Sequence, residues 1–251
     1  MLRNGLKTME SVSTDRARPH FVIADDHAIF AEALKVFLER TYPVVSVVAD
    51  GRALIEAALR FRPEVIVVDV GMPVLNGLDA ARRIKEDTPS VKFIFLTMQA
   101  DPNLAAAALE LGLIGFVLKH AAGSELLKAI DSVLHGKAYL SHQVRANDWV
   151  DTRARARQFT KELSPRQREI VQLYAEGRSI KEIAGVLNLS GKTVEFHKHH
   201  IMEALHLKSN AGLILYALKH GLVFADPEPS PGCLSRKSKI LDATQTNRLV
   251  C

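Results

Sequence analysis

Residues 65 to 69 read Val65-Ile66-Val67-Val68-Asp69, four β-branched residues that end in a carboxylate. A continuous apolar run of this length suits a strand buried on both faces. Four more β-branched or aromatic runs lie at similar spacing, at residues 21–24, 44–49, 91–96 and 115–118. Between them the apolar period becomes helical. Phe30, Ala33, Leu34, Phe37 and Leu38 follow the first run, and Leu54, Ile55, Ala58 and Leu59 follow the second, so each connector can lay one stripe on a sheet. Asp101-Pro102 supplies a cap and a first-turn proline for a further helix, and Ser124 precedes the face Leu126, Leu127, Ile130, Val133 and Leu134. The pattern predicts an α/β fold, a doubly wound sheet of five parallel strands.

Four of the five runs end in chemistry: Asp25-Asp26 after the first, Asp69 after the third, Thr97 after the fourth and Lys119 after the fifth. In an open parallel sheet the C-terminal strand ends face the ligand crevice, which gathers three carboxylates, a hydroxyl and an ammonium. Taken singly, a strand-end Asp is a turn former and a strand-end Lys or Thr is solvated surface. Together they suit phosphoryl chemistry. Three carboxylates repel unless a hard cation joins them, and Mg²⁺ takes oxygen ligands and bridges to phosphate oxygens, so Mg²⁺ is the implied cofactor. One carboxylate can then be the nucleophile, with Lys119 offsetting charge and Thr97 donating to a phosphoryl oxygen.

These residues resemble the response-regulator receiver domain: Ala24-Asp25-Asp26, Asp69-Val70-Gly71-Met72-Pro73 with Gly77 beyond, Leu96-Thr97, and Gly115-Phe116-Val117-Leu118-Lys119. The resemblance implies a flavodoxin-like receiver over residues 19–138 with Asp69 as phosphoacceptor. It implies Asp26, Asp69 and the Gly71 carbonyl as metal ligands, Asp25 acting through metal-bound water, and Thr97 with Phe116 as a switch pair. Core packing is the other reading of Phe116. Two departures stand out. His120 follows the lysine where many receivers carry proline, and Met98 is bulkier than the residue often found after the threonine, which predicts restricted water access and a longer-lived phosphoryl group.

In the second half, Ser164-Pro165-Arg166-Gln167 has a Ser cap, a proline at the first helical position and a Gln at the third. Ile170, Val171, Leu173 and Tyr174 form that helix's apolar face and Gly177 ends it; Ser179 with Glu182 repeats the capping pattern for a second helix carrying Ile183, Ala184 and Leu187. After the turn Asn188-Leu189-Ser190-Gly191, a third helix from about Lys192 buries Val194, Ile201 and Leu205 and turns Lys192, Glu195, Phe196 and His199 outward. Two capped helices and a short turn fit a helix-turn-helix, or an ordinary helical hairpin. The stretch from Leu163 to Leu205 resembles the DNA-binding domain of LuxR-type and NarL/FixJ-type regulators. By that resemblance Lys192, Thr193, Glu195, Phe196, Lys198 and His199 lie at the DNA. Lys192 and Lys198 suit phosphates; Glu195 suits a cytosine amino group and Phe196 a thymine methyl. The run His197-x-His199-His200 is not read as a metal site, since positions two apart do not share a helix face.

The domains expected are a disordered extension at 1–18, the receiver at 19–138, a linker at 139–160, a LuxR-type helix-turn-helix at 161–224 and a disordered tail at 225–251. Net charge is −3 over residues 20–138 and +3 over 161–224, which fits a basic DNA-binding half. The linker carries Arg145, Arg153, Arg155 and Arg157. Cys233 and Cys251, the only two cysteines, both lie in the tail, so no disulfide framework is built. With no apolar leader segment, a cytoplasmic protein without membrane contact is expected.

The implied function is a transcription regulator, not an enzyme, phosphorylated on Asp69 by a sensor histidine kinase or phosphotransfer protein. The partners implied are DNA, a second copy of the chain as a homodimer once phosphorylated, and RNA polymerase as a further candidate. Family behaviour implies that the receiver masks the recognition helix before phosphorylation. A phosphorylation-independent LuxR-type regulator is the alternative. A small-ligand LuxR-type sensor would not need the acidic edge, and an Asp-nucleophile phosphatase would need a second acid at position 71, which is glycine.

Overall fold

Each β-branched run folds as a strand, and each amphipathic connector returns over the sheet as a helix. The structure is a computed structural model that describes residues 18–98, 102–110, 112, 115–145 and 163–224. Its first half runs β1 (Phe21–Ala24), α1 (Ala28–Glu39), β2 (Val44–Val48), α2 (Gly51–Phe61), β3 (Val65–Asp69), α3 (Gly77–Asp87), β4 (Lys92–Thr97), α4 (Pro102–Glu110), β5 (Gly115–Leu118) and α5 (Ala122–Leu134). Then come β6 (Tyr139–Leu140) and the single turn α6 (His142–Arg145). The strands pair in parallel in the order β2-β1-β3-β4-β5-β6.

Side chains alternate across the sheet, so each strand feeds two cores. Val22, Ala24, Ile66, Val68, Phe93 and Phe95 pack under α2, α3 and α4 with Leu54, Ala80, Ile84 and Ala105. Phe21, Ile23, Val65, Val67, Ile94 and Leu96 pack under α1 and α5 with Leu34, Leu38, Leu126, Ile130 and Val133. Burying one such large side chain contributes about 1.5–3 kcal/mol. The two-sided burial explains why these runs are continuous rather than alternating.

Two expectations change. The sheet has six strands, because Tyr139–Leu140, within the stretch expected as linker, pairs with Gly115 and Phe116 at the edge of β5. Ser124 does not cap α5. The chain leaves β5 through a 3-10 turn at Lys119–Ala121 that runs straight into the helix, and Ser124 Oγ donates instead to the Ala121 carbonyl. Asp101, the expected cap of α4, both expected disordered ends and the linker arginines Arg153, Arg155 and Arg157 lie outside the described residues.

The second half is α7 (Pro165–Ala175), α8 (Ile180–Leu187), α9 (Gly191–Ala204) and α10 (Asn210–Lys219). Both expected capping boxes form, Ser164 with Gln167 and Ser179 with Glu182. Asn188 closes α8 at φ 55°, and Ser190, expected as part of the turn, caps α9 by accepting from Thr193 N. Leu163, Ile170, Leu173, Ile183, Leu187, Val194, Ile201 and Leu213 make the core.

One face of α7 buries Arg168, Glu169 and Gln172 against the receiver. Buried polar groups need partners. Arg168 Nε lies 2.9 Å from Asp79 Oδ1 on α3. Glu169 is paired with Arg83 and Arg166, with Arg52 3.7 Å away. Gln172 reaches the loop between β3 and α3. Arg52 adds a hydrogen bond to the Val186 carbonyl at 2.8 Å.

Candidate functional site

The register places the chemistry at one edge. Ala24 pairs with Val68 and Asp69 with Leu96, while Thr97 pairs with Leu118, so Asp25, Asp69, Thr97 and Lys119 emerge side by side where the strands end. Gly77 permits the tight return from β3, because a Cβ there would fall 2.1 Å from the Asp69 carbonyl oxygen.

Lys119 Nζ lies 2.8 Å from Asp25 Oδ2 and 2.8 Å from Asp69 Oδ2. Asp69 Oδ1 accepts from Gly71 N at 3.2 Å, and Asp25 Oδ1 accepts from His27 N at 2.9 Å. Asp25, Asp69, Thr97 and Lys119 are all buried; Asp26 is exposed. Burial pushes the Asp69 carboxyl above its ordinary value; Lys119 opposes the rise and Asp25 adds to it. Burial would lower the Lys119 ammonium, but the charges and hydrogen bonds of Asp69 and Asp25 outweigh it and hold it raised. Asp69 is thus a partly desolvated carboxylate beside a firmly charged lysine, the pairing a phosphoryl acceptor needs.

Asp25, Asp26, His27 and Asp69 each bring one ligand atom within 4.8 Å of the others. The carboxylate oxygens form a hard donor set that fits Mg²⁺. His27 was not expected from the sequence. Its Nδ1 lies 3.0 Å from Asp26 Oδ1 and 3.3 Å from Asp25 Oδ1, and its place directly after the acidic pair was the available signal. Gly71 sits in the loop after Asp69. Phe116 packs in the core under α3 and α4, paired with Phe95 two register positions from Thr97. Met98 is 65% exposed, so its side chain is not packed over Asp69, contrary to the expected shielding.

On the third helix of the second half, Lys192, Glu195, Phe196 and His199 are exposed, Phe196 at 60%. Thr193 is part-buried and its hydroxyl lies 2.8 Å from that of Ser190. Lys198 is turned aside: its Nζ donates to the Tyr174 hydroxyl at 3.2 Å and lies 4.4 Å from the ring centroid. The expected masking of α9 is not seen in this arrangement. The receiver holds α7 and the end of α8, and the outer face of α9 stays open.

Two family models match: a response regulator receiver domain at residues 21–131 and the luxR family of bacterial regulatory proteins at 161–217. The oxygen regulatory protein NreC of Staphylococcus carnosus is 36% identical over 212 residues, 80% of this chain and 98% of that protein. NreC of Staphylococcus aureus strain MRSA252 is 38% identical over 213 residues, again 80% and 98%. Among solved structures, the RcsB response regulator of Salmonella typhimurium is 30% identical with a TM-score of 0.55, covering 81% of this chain and 98% of that one. RcsB of Salmonella enterica serovar Typhimurium, bound to the promoter rprA with the phosphomimetic BeF3−, is 32% identical with a TM-score of 0.52, covering 79% and 98%. The chain belongs to the two-component response regulators of the NarL/FixJ type, DNA-binding transcription regulators in which phosphorylation of a receiver controls a LuxR-type helix-turn-helix.

Proposed function

We propose that Asp69 is the phosphoryl acceptor and that α9 reads DNA with Lys192, Glu195, Phe196 and His199 as its outward face. A carboxylate oxygen of Asp69 attacks the phosphorus of a phosphohistidine on a sensor kinase or phosphotransfer protein; the P–N bond breaks and its electron pair leaves with the imidazole nitrogen, which takes a proton. Lys119, already spanning Asp25 and Asp69, offsets charge on the transferring group, and the Thr97 hydroxyl donates to one of its oxygens. Asp26, Asp69 and the Gly71 carbonyl would hold Mg²⁺, with Asp25 acting through water. The ion supplies charge neutralisation at the phosphoryl oxygens. The chain catalyses nothing on another substrate.

Phosphorylated chains pair and set two copies of α9 on adjacent half-sites. The placement of this regulator is cytoplasmic, with RNA polymerase as the further partner at a promoter. No helix among the described residues is long and apolar enough to cross a membrane. The observation that carries the proposal is Lys119 bridging Asp25 and Asp69 at a strand edge, in the same chain as an open helix-turn-helix. A regulator that ignored phosphorylation would not need this set.

The test is Mg²⁺-dependent labelling with a small radioactive phosphodonor, followed by a gel shift on promoter DNA. Label lost in Asp69→Asn and tighter DNA binding of the labelled chain are expected. Label retained in that variant overturns the acceptor, and equal binding of labelled and unlabelled chain overturns the switch.

A further inference from the structure

The edge strand β6 ends at Ser141, a residue within the stretch expected as linker. Tyr139 pairs with Gly115 and Leu140 with Phe116, and Ser141 N then donates to the Phe116 carbonyl at 2.9 Å. Were the parallel ladder to continue, its next bond would run from Leu118 N to the Ser141 carbonyl. That carbonyl is already taken, because the chain turns into α6 and Val144 N donates to it at 2.9 Å. The Ser141 hydroxyl fills the gap. Leu118 N donates to Ser141 Oγ at 3.1 Å, and the same hydroxyl donates to Glu125 Oε2 in the first turn of α5. One hydroxyl thus ties the end of β5 to the start of α5, accepting on one side and donating on the other. Ser141 is 1% exposed, and the buried Val144 packs into the core under α3 and α4 and pins the turn that carries it.

Leu118 directly precedes Lys119, so this tie acts at the root of the lysine. The tip is held elsewhere: Nζ lies 2.8 Å from Asp25 Oδ2 and 2.8 Å from Asp69 Oδ2, and 5.1 Å from the centroid of the Phe30 ring. The root stands where β5 stops and the 3-10 turn Lys119–Ala121 begins, and neither that turn nor α5 has a side-chain cap. Histidine at position 120 leaves φ free there, where a proline ring would fix it. Pairing with Thr97 holds the end of β5 on its inner side, and the Ser141 hydroxyl holds it on its outer side. A long side chain magnifies any tilt of the peptide at its root. When a phosphoryl group forms on Asp69, the ammonium exchanges a carboxylate oxygen for a phosphoryl oxygen, and the root then decides how far it can follow.

We propose that Ser141, oriented by Glu125, is a positioning residue for Lys119 in phosphoryl transfer to Asp69. The inference rests on Asp69 as acceptor. Ser141 touches neither the acceptor nor the ammonium; it acts through the Leu118 amide, one peptide away from the lysine. The receiver family match ends at residue 131, so the phosphoryl site is completed by a residue beyond it.

The test uses the full chain with Mg²⁺ and phosphoramidate as a small phosphodonor. Ser141→Ala strips the buried Leu118 N of its acceptor; Glu125→Ala leaves the hydroxyl in place but without the carboxylate that orients it. Phosphorylation of Asp69, followed by intact mass, is expected to run about tenfold slower in Ser141→Ala and about threefold slower in Glu125→Ala, short of the about hundredfold cost of a 1 Å misplacement. An unchanged rate in Ser141→Ala overturns the proposal. The placement of Lys119 is read separately, without donor or ion, by brief acylation with acetic anhydride and peptide mass spectrometry. Lys119 is 7% exposed. Its labelling relative to Lys85 on α3 of the same chain is expected to rise at least about threefold in Ser141→Ala as the end of β5 loosens. Slower phosphorylation with unchanged Lys119 labelling means that Ser141 acts on another part of the site, and overturns the proposal as well. If Ser141→Ala loses its cooperative melt, Glu125→Ala carries both measurements and an unchanged result there is decisive against the proposal. If the wild type takes no phosphoryl group at Asp69, it is the reading of Asp69 that fails, while the labelling of Lys119 still decides whether Ser141 places it.

Discussion

At the scale of single residues, Asp69 holds a conflict between stability and chemistry. Its carboxyl is raised by burial against the pull of Lys119, so the ionised form is disfavoured in the folded chain. A raised carboxyl costs stability as pH climbs through its folded value, and the cost is absent below the unfolded value. Asp69→Asn is therefore expected to raise the melting temperature of the metal-free protein at pH 7, measured by calorimetry in EDTA, and to add nothing near pH 3. A lower melting temperature at pH 7 would mean that the ion pair with Lys119 outweighs burial. The open and turned residues of α9 make a second contrast. Lys198 is bound to Tyr174, so Lys198→Ala is expected to cost the DNA-binding domain about 0.5–1 kcal/mol without DNA present, while Glu195→Ala changes stability little and relaxes sequence preference at one position. Equal effects of the two on a melt would return Lys198 to the outer face. With Met98 two-thirds exposed, Met98→Ala is expected to change the dephosphorylation rate less than about tenfold, the equivalent of 1.36 kcal/mol.

Elements differ in how far the sequence discloses them. The strands of the receiver were readable because two-sided burial demands unbroken β-branched runs, and Asp25, Asp69, Thr97 and Lys119 were readable because each sits at the end of one. β6 was not, since two residues carry no period and its pairing is set by the end of β5. The Ser190 cap was mistaken for turn because Asn188 already closes α8 in a left-handed conformation, and the one residue between the two caps, Leu189, leaves no loop to see. α10 was missed for a related reason: Leu213 and Ala217 are buried while Leu215 is 65% exposed, so its apolar residues do not mark a single face. The capping boxes, by contrast, are local chemistry and were legible in full. Ser164→Ala and Ser179→Ala are each expected to lower the stability of the DNA-binding domain by about 1 kcal/mol in urea unfolding. A loss below about 0.3 kcal/mol would mean that the flanking packing, not the cap, starts these helices.

At the scale of the whole molecule, the interface between the domains was invisible in the sequence because its partners are far apart in the chain and obey no period. Asp79 and Arg168 are separated by 89 residues, Asn76 and Gln172 by 96. Yet it carries much of the buried charge: Arg168 on Asp79, and Glu169 among Arg52, Arg83 and Arg166. A buried pair contributes little net free energy when complete, but removing one partner leaves an uncompensated charge and costs about 3–5 kcal/mol. Such an interface holds two domains in one register and opens as a unit once a partner is lost. Arg168→Ala also takes away the hydrogen bond to the Leu163 carbonyl, leaving Asp79 with Arg82 and Asn76. The expected result is an increased radius of gyration in small-angle scattering and a melt that separates into two transitions, one for each domain. Asp79→Asn combined with Arg168→Ala should restore part of the docking, because the buried carboxylate that Arg82 alone would then offset is gone. If Arg168→Ala alone leaves both the scattering and a single melting transition unchanged, the pair does not hold the domains together, and the apolar packing of Val74 against the core of the DNA-binding domain is what does.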